Sequence, residues 1–269
     1  MQKQLARQKL SRVLDHADET IKAALAARRD SREPGRERKE KRERSLAAIL
    51  RRHFNIQRAA LQQALLSIPP VKKTASKDTQ SYDYEQFMVD DELEQNIYHV
   101  LLDAVQDGVL LTADSISIGL DYSLVNEGAA RWARRYAGEL VKQIDGTTLR
   151  VLRSAIADFV ATPEMTIQDV MDRLPFDSSR AMMVAVTEIT RSYAEATIKT
   201  GKALRRQYPD VKVIKRWFTN EDSLVCDLCR ENEDAGEVNI DEPFPSGDDA
   251  PPAHPGDRCW IESSTRMVD

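Results

Sequence analysis

The stretch VCDLCRENEDAGEVNIDEPFPSGDDAPPAHPGDRCW, residues 225–260, contains all three cysteines of the chain and one of its four histidines. Cys226 and Cys229 form a CxxC pair, and His254 and Cys259 follow after a long polar loop. The segment DEPFPSGDDAPPAHPGDR, residues 241–258, holds five prolines and few apolar residues. Because long structureless loops are unusual in compact domains, we expect this one to be functional or held at both ends.

The spacing of this stretch is compatible with a zinc site. Zinc prefers four Cys or His ligands in a tetrahedron, and the pattern C-x2-C-x24-H-x4-C offers Cys226, Cys229, His254 and Cys259. The energy of binding a structural zinc ion, roughly 10–16 kcal/mol in zinc-finger peptides, is folding energy. A bound ion would therefore hold the segment together, although the spacer is longer than in common zinc fingers.

Three other interpretations of the cysteines stay open. Reduced thiols can pack as small hydrophobic groups without a metal. A redox CxxC needs a helix N-terminus to lower a thiol pKa, whereas this pair follows a predicted strand, with Asp222 and Asp227 opposing a thiolate. A Cys–His nucleophile would need an orienting partner. The odd number of cysteines argues against a disulfide framework.

Composition indicates a helix-rich protein of one large or two modest domains. The chain has 269 residues, 31% of them charged and 6% aromatic, a profile that favours helices over an all-β fold. The net charge of −5 argues against a protein that coats nucleic acid over its whole surface. No apolar run reaches the length of a membrane span, and no secretory signal is visible. We expect a protein made in a reducing cytoplasm.

Apolar periodicity predicts a mainly α fold: a multi-helix body with a small C-terminal α+β module, whose antiparallel strands flank the CxxC…HxxxxC loop. Thr147, Thr166 and Asp177 stand where helices should begin, and Gly146 where one should end. The predicted helices are 2–29, 45–67, 84–109, 123–144, 147–161, 166–174 and 178–207, and the predicted strands are 211–219 and 259–268. The predicted divisions are an N-terminal helix (1–30), a charged linker (31–45), a helical body (46–207) and the cysteine module (208–269).

A charged run, RRDSREPGRERKEKRER at residues 28–44, has nine basic and five acidic residues. It is typical of a solvated linker or a charge-laced helix surface. A basic contact to DNA phosphates is the alternative, although the interleaved glutamates weaken it. The candidate DNA contacts are Arg36, Arg38, Lys39 and Lys41.

Three motifs in order, VTEITRSYAEA, VIKRWFTNEDSLVCDLCREN and PPAHPGDRCW, resemble the phage Mu F-like head morphogenesis family over roughly residues 90–265. The matching positions are Thr187, Glu188, Arg191, Lys215, Trp217, Asp222, Cys226, Cys229, Pro251, Pro252, His254, Pro255, Arg258 and Cys259. Asp257 stands where the family has a cysteine. Because a carboxylate can ligate zinc, Asp257 is a candidate substitute ligand; equally, the change suggests that the full cysteine set is dispensable.

The resemblance implies a minor head protein of a tailed phage that acts in procapsid assembly beside the portal and accompanies DNA packaging or delivery. The implied partners are the portal protein, capsid and scaffold proteins and packaged double-stranded DNA, with no membrane and no small-molecule substrate. The implied location is the phage head, after assembly in the host bacterial cytoplasm. The rival hypothesis is a zinc-containing DNA-binding or DNA-processing protein.

The helix with the Thr-Glu pair is predicted to be amphipathic, with Thr187, Glu188, Arg191 and Glu195 within about 100° of arc. We interpret this polar face as a structural contact between the helix and the cysteine module, with Glu188 and Arg191 as an ion pair. Catalysis by Glu188 is disfavoured because no nucleophile, phosphate loop or acid–base partner converges in the sequence. We therefore expect no enzyme activity and no cofactor other than structural zinc. Trp132 is predicted to lie in the core.

Overall fold

The computed structural model describes residues 32–67, 91–116, 122–162 and 164–267, and within these ranges the chain forms six helices and three strands. The helices are α1 (Arg36–Ser67), α2 (Asp91–Ser115), α3 (Tyr122–Ala161), α4 (Ile167–Met171), α5 (Ser178–Gln207) and α6 (Asp227–Asp234). The strands are β1 (Val211–Phe218), β2 (Glu237–Asn239) and β3 (Trp260–Met267). The predicted fold class is confirmed: a helical body carries a small C-terminal sheet.

The helical body is built around α5, which packs against α1, α2 and α3. Ala181, Ala185 and Ile189 of α5 are fully buried at helical spacing, and these mostly small side chains let neighbouring helices approach closely. The approach of α2 is closest at Gly108, where an added Cβ would lie 3.2 Å from the Cα of Tyr193. A larger residue at this position would push α2 away from α5.

The C-terminal module is an antiparallel sheet of order β2-β1-β3. Its own hydrophobic cluster centres on Trp217, which is fully buried and meets Phe244 edge to face at 5.2 Å. Ile198 and Leu204 belong to this second cluster although they lie on α5. One helix therefore contributes to the cores of both the body and the module.

Local capping signals are confirmed at two helices. The Thr166 hydroxyl accepts a hydrogen bond from the Asp169 amide at 3.2 Å, and the Asp169 carboxylate accepts one from the Thr166 amide at 2.8 Å. The Asp177 carboxylate accepts from the Arg180 amide at the start of α5. The helix that Thr166 caps, α4, is shorter than the predicted helix 166–174, because it ends at Met171.

The predicted break at Gly146 is wrong, because α3 runs unbroken for 40 residues. Thr147 is not an N-cap: it lies inside α3, and its hydroxyl donates to the Gln143 carbonyl. A glycine inside a helix costs about 1 kcal/mol. Burial of Ile144 and Leu152 on either side outweighs that cost.

The charged run is largely helical, since α1 begins at Arg36 rather than near residue 45. Of the two solvated interpretations, the charge-laced helix is therefore the observed one for residues 36–44. The charged run also forms ion pairs with the helical body, because Arg42 donates to Asp103 at 2.7 Å and to Asp107 at 2.9 Å on α2. The predicted helix 2–29 and the first residues of the predicted helix 84–109, up to residue 90, lie outside the described residues. No helix in the described part of the chain is long and apolar enough to cross a bilayer.

Candidate metal centre and the contacts that hold it

The CxxC pair lies at the N-terminus of α6, a helix that the sequence analysis missed. Cys226 is the N-cap residue, and its sulfur accepts a hydrogen bond from the Cys229 amide at 3.4 Å. The signals that could have found this helix are Asp227 in its first turn and Gly236, with φ of +67°, just after its end. The prediction that no helix begins at the pair is wrong.

Three ligand atoms of the cysteine stretch converge on one point. Nε2 of His254 lies 3.3 Å from the Cys226 sulfur and 3.5 Å from the Cys229 sulfur. In tetrahedral zinc coordination, a sulfur and a nitrogen of one ion are about 3.6 Å apart. Nδ1 of His254 lies 3.0 Å from the Pro255 carbonyl and must donate to it, which leaves the Nε2 lone pair for a metal.

Cys229, Asp257 and Cys259 form a second group of buried ligand atoms, all within 4.8 Å of one another. The Asp257 carboxylate accepts hydrogen bonds from the Cys259 amide at 2.7 Å and the Ala253 amide at 2.8 Å. Asp257 therefore fixes the backbone on both sides of itself. The structure brings Cys226, Cys229 and His254 together and links Cys259 to them through Cys229.

The pKa shifts of the cluster are mixed, because they favour a thiolate at Cys229 and disfavour one at Cys259. A hydrogen bond from Cys259 lowers the pKa of Cys229 despite the opposing effect of burial. That same bond, together with burial and the Asp257 charge, raises the pKa of Cys259. Burial lowers the pKa of His254, but the Pro255 carbonyl and the charges of Asp257 and Cys226 raise it more. The donor set fits a thiophilic divalent metal, and its residues could hold one such ion.

The loop that carries His254 is fastened to α5 by Thr187. The Gly256 amide donates to the Thr187 hydroxyl at 2.8 Å, and that hydroxyl donates to the Met183 carbonyl at 2.7 Å. Gly256 has φ of +76°, a conformation that favours glycine. The predicted contact between the Thr-Glu helix and the module is made by this threonine.

Asp222 and Arg258 join the two ends of the cysteine stretch. The Arg258 guanidinium donates to both Asp222 oxygens, at 2.7 and 2.9 Å, and the two side chains are 8% and 14% exposed. Burial acts to raise the pKa of Asp222, but the bonds from Arg258 and the Leu224 amide hold it below its usual range. This pair brings the segment before the CxxC next to the residue before Cys259.

Comparison with protein families matches residues 152–262 to the family described as Phage Mu protein F like protein. This match confirms the resemblance to the phage Mu F-like family for residues 152–262. The match begins inside α3 and ends inside β3, so it is shorter at its N-terminal end than the resemblance predicted. No curated protein and no solved structure gives a significant match.

The remaining residues of the Mu F-like motif also have structural partners. Glu188 accepts hydrogen bonds from the Tyr136 hydroxyl at 2.8 Å and from Arg191 at 3.1 Å. The predicted Glu188–Arg191 ion pair is therefore present, but it faces α3 rather than the module. Burial and the Glu188 charge raise the pKa of Tyr136. Glu195 pairs with Lys199 at 3.0 Å.

Lys215 is buried on the inner face of the Mu F-like sheet. Its ammonium donates to the Asp249 carbonyl at 2.7 Å and lies 5.0 Å from the centre of the Phe244 ring. Burial lowers the pKa of Lys215 to about 8. This lysine fastens the proline-rich loop to β1.

The predicted DNA contacts are divided by their burial. Lys39 is buried in an ion pair with Glu33, so it is not available to a phosphate. Arg36 pairs with Glu40 at 3.1 Å. Arg38 and Lys41 are exposed, and they remain candidates.

The other sequence candidates have structural positions in the body. Trp132 is 7% exposed and stacks on Tyr136 at 5.0 Å, as a core residue should. His53 is buried 3.4 Å from Asp145, and His99 contacts Gln95 on its own helix. His16 lies outside the described residues.

Thr187→Val is expected to destabilise the module by about 1–3 kcal/mol, because it leaves the Gly256 amide without its acceptor. Denaturant unfolding and hydrogen exchange of the Gly256 amide measure the effect. The matched control is Thr147→Val, which removes a partly exposed hydroxyl that also bonds a carbonyl four residues earlier. Equal losses in the two variants would contradict a special role for Thr187.

Relative to the parent, Lys215→Met is expected to lose stability as pH rises from about 8 to 10.5. In that window the unfolded parent binds a proton that the folded parent does not, so the parent becomes more stable as pH rises. The change is at most about 3 kcal/mol. The measurement is the difference in unfolding free energy across pH, with Lys212→Met on the exposed face of β1 as control. The same slope in both variants would refute the prediction.

Proposed function

We propose that this protein is a non-enzymatic minor head protein of a tailed phage, which acts in head morphogenesis at the portal. The observation that carries the proposal is the match of residues 152–262 to the phage Mu F-like family. That family points to head morphogenesis. We extend this role to a placement at the portal, to capsid and scaffold partners and to a location in the virion.

The contacts of the motif residues support a building role. The Thr187 hydroxyl accepts a hydrogen bond from the loop that carries His254. Asp222 and Arg258 form an ion pair, and Lys215 donates to the Asp249 carbonyl. Their polar atoms are engaged in holding the module together and to the helical body. Such an arrangement makes a rigid module suited to presenting a fixed surface to a partner protein.

The shape of the body supports the same role. With 40 residues at 1.5 Å per residue, α3 is about 60 Å long. A long packed helix can span the distance between neighbouring components of a protein shell. We therefore propose that the long helices of the body span the distance between neighbouring head proteins. The Mu F-like module then provides the surface that binds a partner protein.

The metal that we propose is zinc, with a structural role. Cys226, Cys229 and His254 supply three ligand atoms at suitable spacing, and Cys259 is the fourth ligand. Asp257 fixes the loop through two backbone amides. Zinc has no redox chemistry of its own and favours closed four-ligand sites in structural roles.

The test of the head-protein proposal is made in the phage that carries the gene. Heads purified from the wild type should contain the chain, and cross-linking mass spectrometry should join it to the portal protein. Phage lacking the gene should give fewer DNA-filled heads, and the defect should be restored by the wild-type chain and by the exposed control Glu231→Gln. Normal DNA-filled heads without the chain would refute the proposal.

Contact with packaged DNA is a second candidate function, and the exposure of Arg38 and Lys41 favours it. The double variant Arg38→Gln, Lys41→Gln should bind double-stranded DNA more weakly and with a smaller salt dependence. The matched control replaces Arg131 and Arg135, exposed cations of α3. Binding that is unchanged in the first variant would exclude this contact.

A further inference from the structure

A cavity of about 70 Å³ lies where the helical body meets β3. Its wall includes residues from the start of the described chain, from α2, from α5 and from β3. Its polar members include Glu33, Lys39, Thr190, Tyr193, Glu262 and Ser263. The cavity therefore lies at the junction of the body and the Mu F-like module, with polar groups set in a largely apolar wall.

Three hydroxyls on this wall are buried and have no hydrogen-bond partner among the protein groups of the described residues. They belong to Thr190, Tyr193 and Ser263, whose residues are 1%, 9% and 4% exposed. A buried hydroxyl left unsatisfied is costly, and folded proteins contain few of them. Three on one cavity indicate an occupant that donates and accepts hydrogen bonds.

The charges around the cavity disfavour an anionic occupant. The Lys39 ammonium is already paired with the Glu33 carboxylate, and both are almost fully buried. Glu262 also lines the cavity, and its carboxylate accepts a hydrogen bond from the Trp260 indole at 2.9 Å. Among the residues that the structure describes, no uncompensated positive charge therefore lines the space, which disfavours phosphate or sulfate.

The volume matches a few water molecules. A buried water needs at least about 10–15 Å³ of such space and occupies about 30 Å³ in the liquid, so the cavity has room for on the order of two to five. We propose that this cavity is a buried-water site, whose ordered waters bridge Thr190 and Tyr193 on α5 to Ser263 on β3. The junction between body and module is then joined through water as well as by direct packing.

A water bridge couples residues that no direct hydrogen bond joins. Thr190 lies on α5 and Ser263 lies on β3, and removing either hydroxyl takes away one partner of the shared waters. A second removal then costs less than the first. Hydroxyls with no water partner would behave differently, because replacing them with apolar atoms of the same shape relieves an unsatisfied group.

The experiment is a double-mutant cycle with Thr190→Val, Ser263→Ala and both together, read as midpoints of denaturant unfolding. Each single variant is expected to unfold at lower denaturant than the parent, and the double variant to lose less than the sum of the two. The control is Thr200→Val, which removes a buried, unpartnered hydroxyl of α5 that does not line the cavity. It should leave the midpoint unchanged or raise it.

Additive losses, or a higher midpoint in Thr190→Val, would overturn the proposal. A high-resolution crystal structure of the full chain gives a readout that does not depend on the variants. Ordered waters within hydrogen-bonding distance of the three oxygens would confirm the site. A dry cavity, or a bound ion in place of water, would refute it.

Discussion

The double variant Cys226→Ser, Cys229→Ser is expected to lose about one zinc ion per chain and, with it, the fold of residues 208–267. Structural zinc contributes roughly 10–16 kcal/mol in zinc-finger peptides, whereas a whole domain is stable by only about 5–15 kcal/mol. The free energy lost with the ion therefore exceeds the stability that the small sheet can supply by itself. The long helices of the body should keep most of the far-ultraviolet circular dichroism.

Metal content is measured by mass spectrometry on protein purified without chelator. The fold of the module is followed by tryptophan fluorescence, because Trp217 is fully buried there. The control is Glu231→Gln, an exposed position on the same helix α6. A parent without metal, together with a double variant that keeps its folded module, would mean that the cysteines are packing residues. The head-protein proposal would survive that outcome.

Asp222→Asn is expected to destabilise the module by about 3–5 kcal/mol, the usual cost of breaking a buried ion pair. The variant leaves the Arg258 guanidinium, 8% exposed, without its negative partner. The loss should be visible as a lower midpoint of denaturant unfolding. The control is Asp158→Asn, which breaks an exposed pair with Arg173 on the body surface and should change stability little.

The effect of Asp222→Asn should depend on pH. Because the folded protein holds the pKa of Asp222 below its usual range, the pair stabilises the fold above the unfolded pKa of about 3.9. This contribution disappears as pH falls through the lower, folded-state pKa. Parent and variant should therefore converge in stability in strong acid, and a difference that stays constant down to about pH 2 would contradict the assignment.

The features predicted correctly from sequence are those that depend on neighbouring residues. The capping box at Thr166 needs only groups three residues apart, and β1 is indicated by the β-branched and aromatic residues within its own eight positions. The helix stop at Gly146 failed because packing of a distant surface overrides a local preference. Helix α6 was missed because its cap is a cysteine, which is not among the residues that usually signal a helix start.

The ordered motifs predicted the module but not the partner of each motif residue. Thr187 meets Gly256 across 69 positions of the chain, and Asp222 meets Arg258 across 36. Such pairings are set by tertiary packing, for which a single sequence gives no direct signal. The same reason explains why Glu188, adjacent to Thr187, was expected at the module and instead contacts Tyr136.

Because α5 contributes side chains to the cores of both the body and the module, the chain cannot be cut between α5 and the sheet without exposing a core. The first half of α5 is part of the body core, while Ile198, Gly201 and Leu204 pack against the sheet; an added Cβ at Gly201 would lie 2.9 Å from Ile240. A fragment that begins at residue 208 would lack one wall of its core. The module can therefore keep a complete core only together with α5, and the family match, which starts upstream of this helix at residue 152, includes it.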